Sequence, residues 1–162
     1  LRHADEVTMA NIACLVNQTG PLYVHPEGVV RRTHFHAMAM YANLLQSQVA
    51  EAKIESDRLQ QGDSSVAMVD AVATVDESGA RWVVGLMNRH PREEVVCTLQ
   101  IGDRPIDGTF KATMLTGDSP EAYNDIEHPN RVVPREEQLT FQNGRVSLPP
   151  HSLCIIEIPL TR

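Results

Sequence analysis

The chain has 162 residues, with 14 basic and 21 acidic side chains and a formal net charge of −7 when histidine is neutral. That excess of acid argues against nucleic acid or an anionic membrane as partner, because phosphate binding needs a surplus of Lys and Arg. At 42% hydrophobic and 22% charged residues the composition is that of a folded globular chain, and no apolar run approaches the roughly 18 residues of a spanning helix.

No signal peptide opens the sequence, and a start at Leu1 without Met reads as a missing upstream part. Val7, Ala10 and Cys14, interleaved with Met9, Ile12, Leu15 and Val16, recur at helical spacing over about three turns. Asp5 and Glu6 stand where a helix dipole favours negative charge. Gly20-Pro21 supplies a stop, since glycine permits a left-handed cap and proline cannot continue a helix. An extended stretch at 22–24 and a turn at His25-Pro26-Glu27-Gly28 follow. Thr33 is placed to cap a second helix through Phe35, Met38, Ala39, Ala42 and Leu45. The first helix is apolar on more than one side, so it is expected inside a larger body.

From about Val49 the apolar period changes to two. Segments 66–75, 82–87, 94–101, 110–115, 138–141, 146–148 and 153–158 read as short strands. Turn clusters separate them, among them Asp76-Glu77-Ser78-Gly79 and Gly102-Asp103-Arg104-Pro105. Asn143-Gly144 is the strongest hairpin signal, because a type I′ turn needs positive φ at both central residues. The polar segment 55–65 reads as a mobile loop. The expected fold is mainly β: an antiparallel, jelly-roll-like β-sandwich over 48–162, preceded by a two-helix unit over 1–47.

The chemistry-bearing residues are sparse. Three cysteines, Cys14, Cys97 and Cys154, form no CxxC and sit among apolar neighbours, as free thiols in a reducing compartment do. His34 and His36 fall two apart, which on a helix turns them to different faces and prevents a shared metal ion. Nucleotide-binding and G-x-S-x-G motifs are absent, and no cofactor or metal site is expected. The acid pairs Asp76-Glu77, Glu93-Glu94 and Glu136-Glu137 fall in turns or at strand ends, where solvated carboxylates are ordinary. Aromatic residues are 4% of the chain and Trp82 is the only tryptophan, few for a sugar-stacking surface.

Ordered motifs carry more than any single residue. His3-Ala4-Asp5, Met9-Ala10-Asn11-Ile12-Ala13, Leu15-Val16-Asn17 and Gly20-Pro21 occur in the first part. Leu86-Met87-Asn88-Arg89, then Leu115-Thr116-Gly117-Asp118 with Ala122-Tyr123-Asn124 and Val132-Val133-Pro134, then Leu148-Pro149-Pro150-His151-Ser152 occur in the second. Over nearly its whole length the chain resembles the C-terminal portion of alpha-L-arabinofuranosidases of glycoside hydrolase family 51.

The resemblance implies a retaining enzyme with a TIM-type barrel and two catalytic glutamates, both upstream of the region matching Leu1. Residues 1–47 would then be the last helical part of that barrel, and 48–162 the sandwich beside it. The family commonly has Ala-Gln-Leu-Val-Asn where this chain has Ala13-Cys14-Leu15-Val16-Asn17. Cys14 is therefore the one implied substrate-binding position, and a thiol cannot replace a two-way amide. Asn17 is read as a backbone cap at the helix end. The resemblance further implies a cytoplasmic homo-oligomer whose partners are the upstream barrel and an arabinose-containing oligosaccharide. The competing reading is an independent carbohydrate-binding or interaction module.

Overall fold

A computed structural model describes residues 1, 3, 5–12 and 14–160. In chain order the elements are β1 (Leu22–His25), β2 (Gly28–Arg31), α1 (Thr33–Leu44), β3 (Gln48–Ala50), β4 (Arg58–Gln61), β5 (Ser64–Ala67), β6 (Val69–Val75) and β7 (Arg81–Asn88). They continue with β8 (Val95–Thr98), β9 (Gln100–Ile101), β10 (Arg104–Pro105), β11 (Gly108–Leu115), β12 (Arg135–Phe141), β13 (Arg145–Leu148) and β14 (Ser152–Pro159). Six strands make the central sheet, in the order β12-β11-β14-β7-β6-β3, and every pairing in it is antiparallel. Smaller antiparallel ladders join β13 to β8, β9 to β10, β4 to β5 and β1 to β2.

Both faces of the central sheet are covered. One face packs Ala73, Val84, Leu86, Ala112, Met114, Phe141, Cys154, Ile156 and Ile158 against Val146 and Leu148 of β13 and Ile106. The other sets Val83, Leu115, Leu153 and Ile155 against Met40 of α1 and Val132. Side chains alternate across a strand, so burial on both faces calls for an unbroken apolar run. Leu153-Cys154-Ile155-Ile156 is that run, and each of its residues is buried.

The expected strands are present, and the hairpin turn has φ of 51° at Asn143 and 74° at Gly144. Segment 55–65 departs from expectation. It carries β4 and the start of β5, because Arg58 donates from Nε to Ser65 Oγ at 2.7 Å and a ladder closes around Gly62. The larger correction concerns the first part. Among the described residues there is one helix, so the two-helix unit is not formed. Residues 7–12 and 14–16 take no helical conformation, and Ala13 lies outside the described residues. Cys14, Asn17 and Gln18 adopt φ of 64°, 55° and 38°, which a right-handed helix excludes. Apolar spacing alone does not hold a short helix; most helical stability comes from packing one face, and Met9, Ile12 and Leu15 have nothing over them.

α1 also differs in detail. Thr33 is its first helical residue and not its cap; Arg32 occupies that position without a side-chain cap bond. The face turned to the sheet is Ala37, Met40, Tyr41 and Leu44, the i, i+3, i+4, i+7 set, while Met38 and Ala42 are exposed. Gly85 of β7 lies under this contact: a Cβ there would press on Val72 Cγ1 at 3.1 Å and reach ordinary contact with Tyr41 at 3.8 Å.

Candidate functional site

The residues singled out from sequence lie in a tight turn that precedes β1. Asn17 N–H donates to Leu22 O at 2.8 Å, Leu22 N–H to Leu15 O at 3.2 Å and Gly20 N–H to Asn17 O at 2.6 Å. Val16 bridges Leu22 in parallel sense. Gly20 is required here because a Cβ would lie 2.6 Å from Cys14 O and 2.8 Å from Leu15 O. Asn17 does cap backbone, as expected of it, but the group is not a helix end. Its Oδ1 accepts from Val24 N–H at 2.8 Å, tying the turn to β1.

Cys14 is exposed, and its thiol points to Gln18 Oε1 at 3.7 Å. The other cysteines are withdrawn. Burial pushes the Cys97 thiol up, and burial together with Glu137 pushes Cys154 up to about 12. A thiol that stays protonated is a poor nucleophile and a poor metal ligand.

Sequence reasoning missed Arg32, which organises the turn. Its Nη1 donates to Gln18 O and, at 3.2 Å, to Gly20 O. The guanidinium stands 5.2 Å from the Tyr23 ring centroid, within cation–π range. Its backbone N–H donates to Pro21 O at 2.9 Å. No spacing rule flags one arginine of the Arg31-Arg32 pair beside a helix start, so this role is visible only in three dimensions.

Next to the turn, Val29, Val30, Arg31, His36, Pro129 and Asn130 line a cleft of about 320 Å³. Burial, then the Arg31 charge, holds His36 below the ordinary imidazole value. The Nε2 atoms of His34 and His36 are buried without a hydrogen-bond partner. Among the described residues no three His, Cys, Asp or Glu side chains stand close enough to hold a metal ion.

The acid pairs are engaged locally. Asp76 accepts from Arg81 N–H at 3.1 Å and Ala80 N–H at 3.0 Å, and these bonds hold its carboxyl below the usual range. Glu94 accepts from the Ser147 hydroxyl, and Glu136 pairs with Lys111 at 2.8 Å. Trp82 lies partly buried against the core and donates from Nε1 to Gly79 O at 3.2 Å.

Two of the sequence motifs contain structural hubs. Asn88 is 1% exposed and its amide serves Glu93 O, Leu148 O and Pro149 O while accepting from His90 N–H. Asn124 is 2% exposed; it donates to Val132 O and Arg31 O, both at 2.9 Å, and accepts from Val132 N–H at 2.7 Å. One side chain thereby holds segment 116–134 over the sheet and joins it to the end of β2.

The family described as alpha-L-arabinofuranosidase C-terminal domain matches residues 1–152. The intracellular exo-alpha-(1→5)-L-arabinofuranosidase of Streptomyces lividans is 26% identical over 152 residues, which are 91% of this chain and 22% of that protein. An enzyme of the same description from Bifidobacterium longum is 29% identical over 143 residues, covering 83% of this chain and 25% of its own length. The fold matches the crystal structure of an alpha-L-arabinofuranosidase from Thermotoga maritima in complex with arabinose. There the TM-score is 0.85 at 21% identity, over 98% of this chain and 35% of that one. The chain spans about a quarter of the curated relatives it matches. No helix among the described residues is long and apolar enough to cross a membrane.

Proposed function

Because the chain belongs to the alpha-L-arabinofuranosidase C-terminal domain family, we propose that it forms the C-terminal part of a retaining arabinofuranosidase and carries no catalytic glutamate of its own. In this reading two glutamates in preceding polypeptide do the chemistry. One attacks the anomeric carbon of a terminal alpha-L-arabinofuranosyl unit and the other protonates the departing oxygen. The substrates are arabinoxylan or arabinan oligosaccharides, and the enzyme is a cytoplasmic homo-oligomer. Residues 1–47 complete the catalytic barrel. Residues 48–162 form a jelly-roll-like sandwich that buttresses it.

The observation that carries this reading is the band of bare apolar side chains in the first part. Val7, Met9, Ile12, Leu15 and Val16 are all exposed, Met9 to 76% and Leu15 to 67%, and so are Val24, Val29 and Met38. So many large apolar side chains bare within one short segment mark an interaction surface, and a barrel laid against them would cover them. Cys14 would then face the sugar where relatives present an amide, offering one weak donor in place of a donor and an acceptor.

Hydrolysis of an aryl arabinofuranoside tests the proposal. The purified 162-residue chain is expected to be inactive and its extended form, with the upstream polypeptide restored, active. Turnover by the short chain overturns the division of labour. Saturable binding of arabino- or xylo-oligosaccharides by residues 48–162 alone would establish the binding module instead.

A further inference from the structure

We propose that the β unit does more than support the barrel: Asn124, acting through Arg31 and Arg32, is a positioning residue that sets the placement of the turn carrying Cys14. The inference rests on the reading of that turn as substrate-facing for its catalytic meaning, but its geometry stands by itself. A single peptide group, between Arg31 and Arg32, is held from both sides. Its carbonyl accepts from Asn124 Nδ2 at 2.9 Å, and its N–H donates to Pro21 O at 2.9 Å. A planar peptide cannot give at one end without moving the other.

From this group the Arg32 side chain reaches back to Gln18 O and Gly20 O. Gln18 in turn accepts the Cys14 thiol at 3.7 Å, and Gly20 lies too close to the Cys14 and Leu15 carbonyls to admit a Cβ. The chain of contact therefore runs from Asn124, buried and held in segment 116–134 by Val132, to an exposed thiol at the far end of the turn. Each link is a hydrogen bond or a contact with no free space. Apolar packing does not substitute for it, since Leu15 and Val16 are exposed on this side.

Cys14 supplies the probe. It is the exposed thiol of the three, so a bromomethyl trifluoromethyl ketone alkylates it with loss of bromide; the thioether gives up the weak S–H contact to Gln18, and its fluorine resonance reports the backbone placement that Arg32 and Gly20 hold, without any substrate. Asn124→Ala and Arg32→Ala are each expected to shift and narrow the Cys14 resonance. The double variant should shift it no further than the larger single change, the non-additivity of residues in one path. Arg32→Lys, which keeps a donor, should restore part of the signal. Asn88→Ala is the control: it removes an equally buried amide hub and lowers the melting temperature, and it should leave the resonance in place. A shift with Asn88→Ala as large as with Asn124→Ala, or a silent Arg32→Ala, overturns the relay. Failure of the substrate reading looks different: the extended enzyme carrying Cys14→Trp would keep its full kcat/KM while the fluorine result stood.

Discussion

Residues 153–158 and residues 7–16 are both rich in large apolar side chains, and their surroundings are opposite. In β14, Leu153, Ile155, Ile156 and Ile158 are at most 5% exposed, with β11 and β7 hydrogen-bonded on either side and a packed layer over each face. In the first stretch, Val7, Met9, Ile12, Leu15 and Val16 stand in solvent, on backbone bonded at the Val16–Leu22 bridge and from Val7 N–H to His3 O. Apolar character states a need for burial without saying what meets it. β14 finds its partners inside the chain, whereas residues 7–16 find none there, and that unmet need is what an adjoining body would satisfy.

The thiols offer the largest contrast between these regions. At pH 8 a thiol pushed up to about 12 holds its reactive thiolate in roughly one molecule in 10⁴. Titration of the native chain with a chromogenic disulfide should therefore show Cys14 reacting at once, Cys97 lagging and Cys154 waiting for denaturant. Two fast thiols would break the contrast at its most protected point.

The same deletion made on each side sharpens it. Ile156→Ala empties a fully buried site and should cost about 2–5 kcal/mol, seen as a lower urea midpoint. Leu15→Ala, 67% exposed, should stay within about 0.5 kcal/mol. In the extended enzyme the Leu15→Ala penalty should grow to that of a buried site. If it stays small there, residues 7–16 are not covered by the barrel.

Asn124 joins segment 116–134 to the end of β2, and its truncation should have a smaller effect. Asn124→Ala leaves the Val132 N–H and two carbonyls, those of Arg31 and Val132, without their partner. A buried unsatisfied group costs about 1–3 kcal/mol, which equilibrium unfolding reads directly. A change within experimental error would mean that segment 116–134 is held by Val132 packing alone.

How far sequence reasoning reached follows from this same division. The strands of the central sheet are legible because their partners lie within the chain: the apolar runs at 82–87 and 153–158 and the Asn143-Gly144 turn are all local consequences of a sheet that closes here. Residues 7–16 have helical apolar spacing without a helix among the described residues, because that periodicity meets no partner here. The β4–β5 ladder was misread as a loop because its residues are polar, and its hold comes from Arg58 and Ser65 side chains, which no hydrophobic pattern reveals. At the candidate site Cys14 and Asn17 were legible through family resemblance. Arg32 reaches carbonyls 12 and 14 residues away and Asn124 reaches one 93 residues away, and no local rule marks a side chain for what it meets that far along the chain.

His36 gives the subtlest test, because it sits in α1, which packs on the sheet, and lines the cleft beside β2. Burial first, and then the Arg31 charge, holds its value below the ordinary one near 6.5. The folded chain therefore resists a proton that the unfolded chain accepts. The sign follows from linkage: where the unfolded state binds more protons, stability rises with pH. This contribution is fully present above about 6.5 and is lost as the pH falls through the lowered folded value. His36→Gln, which cannot titrate, should flatten that part of the urea midpoint against pH while leaving the acid limb set by carboxylates such as Asp76 in place. In the extended enzyme, burial of the cleft under a neighbouring body would lower the folded value further and steepen the slope. An unchanged slope there would place the barrel's contact along residues 7–16 and the β1–β2 hairpin and leave the cleft open to water.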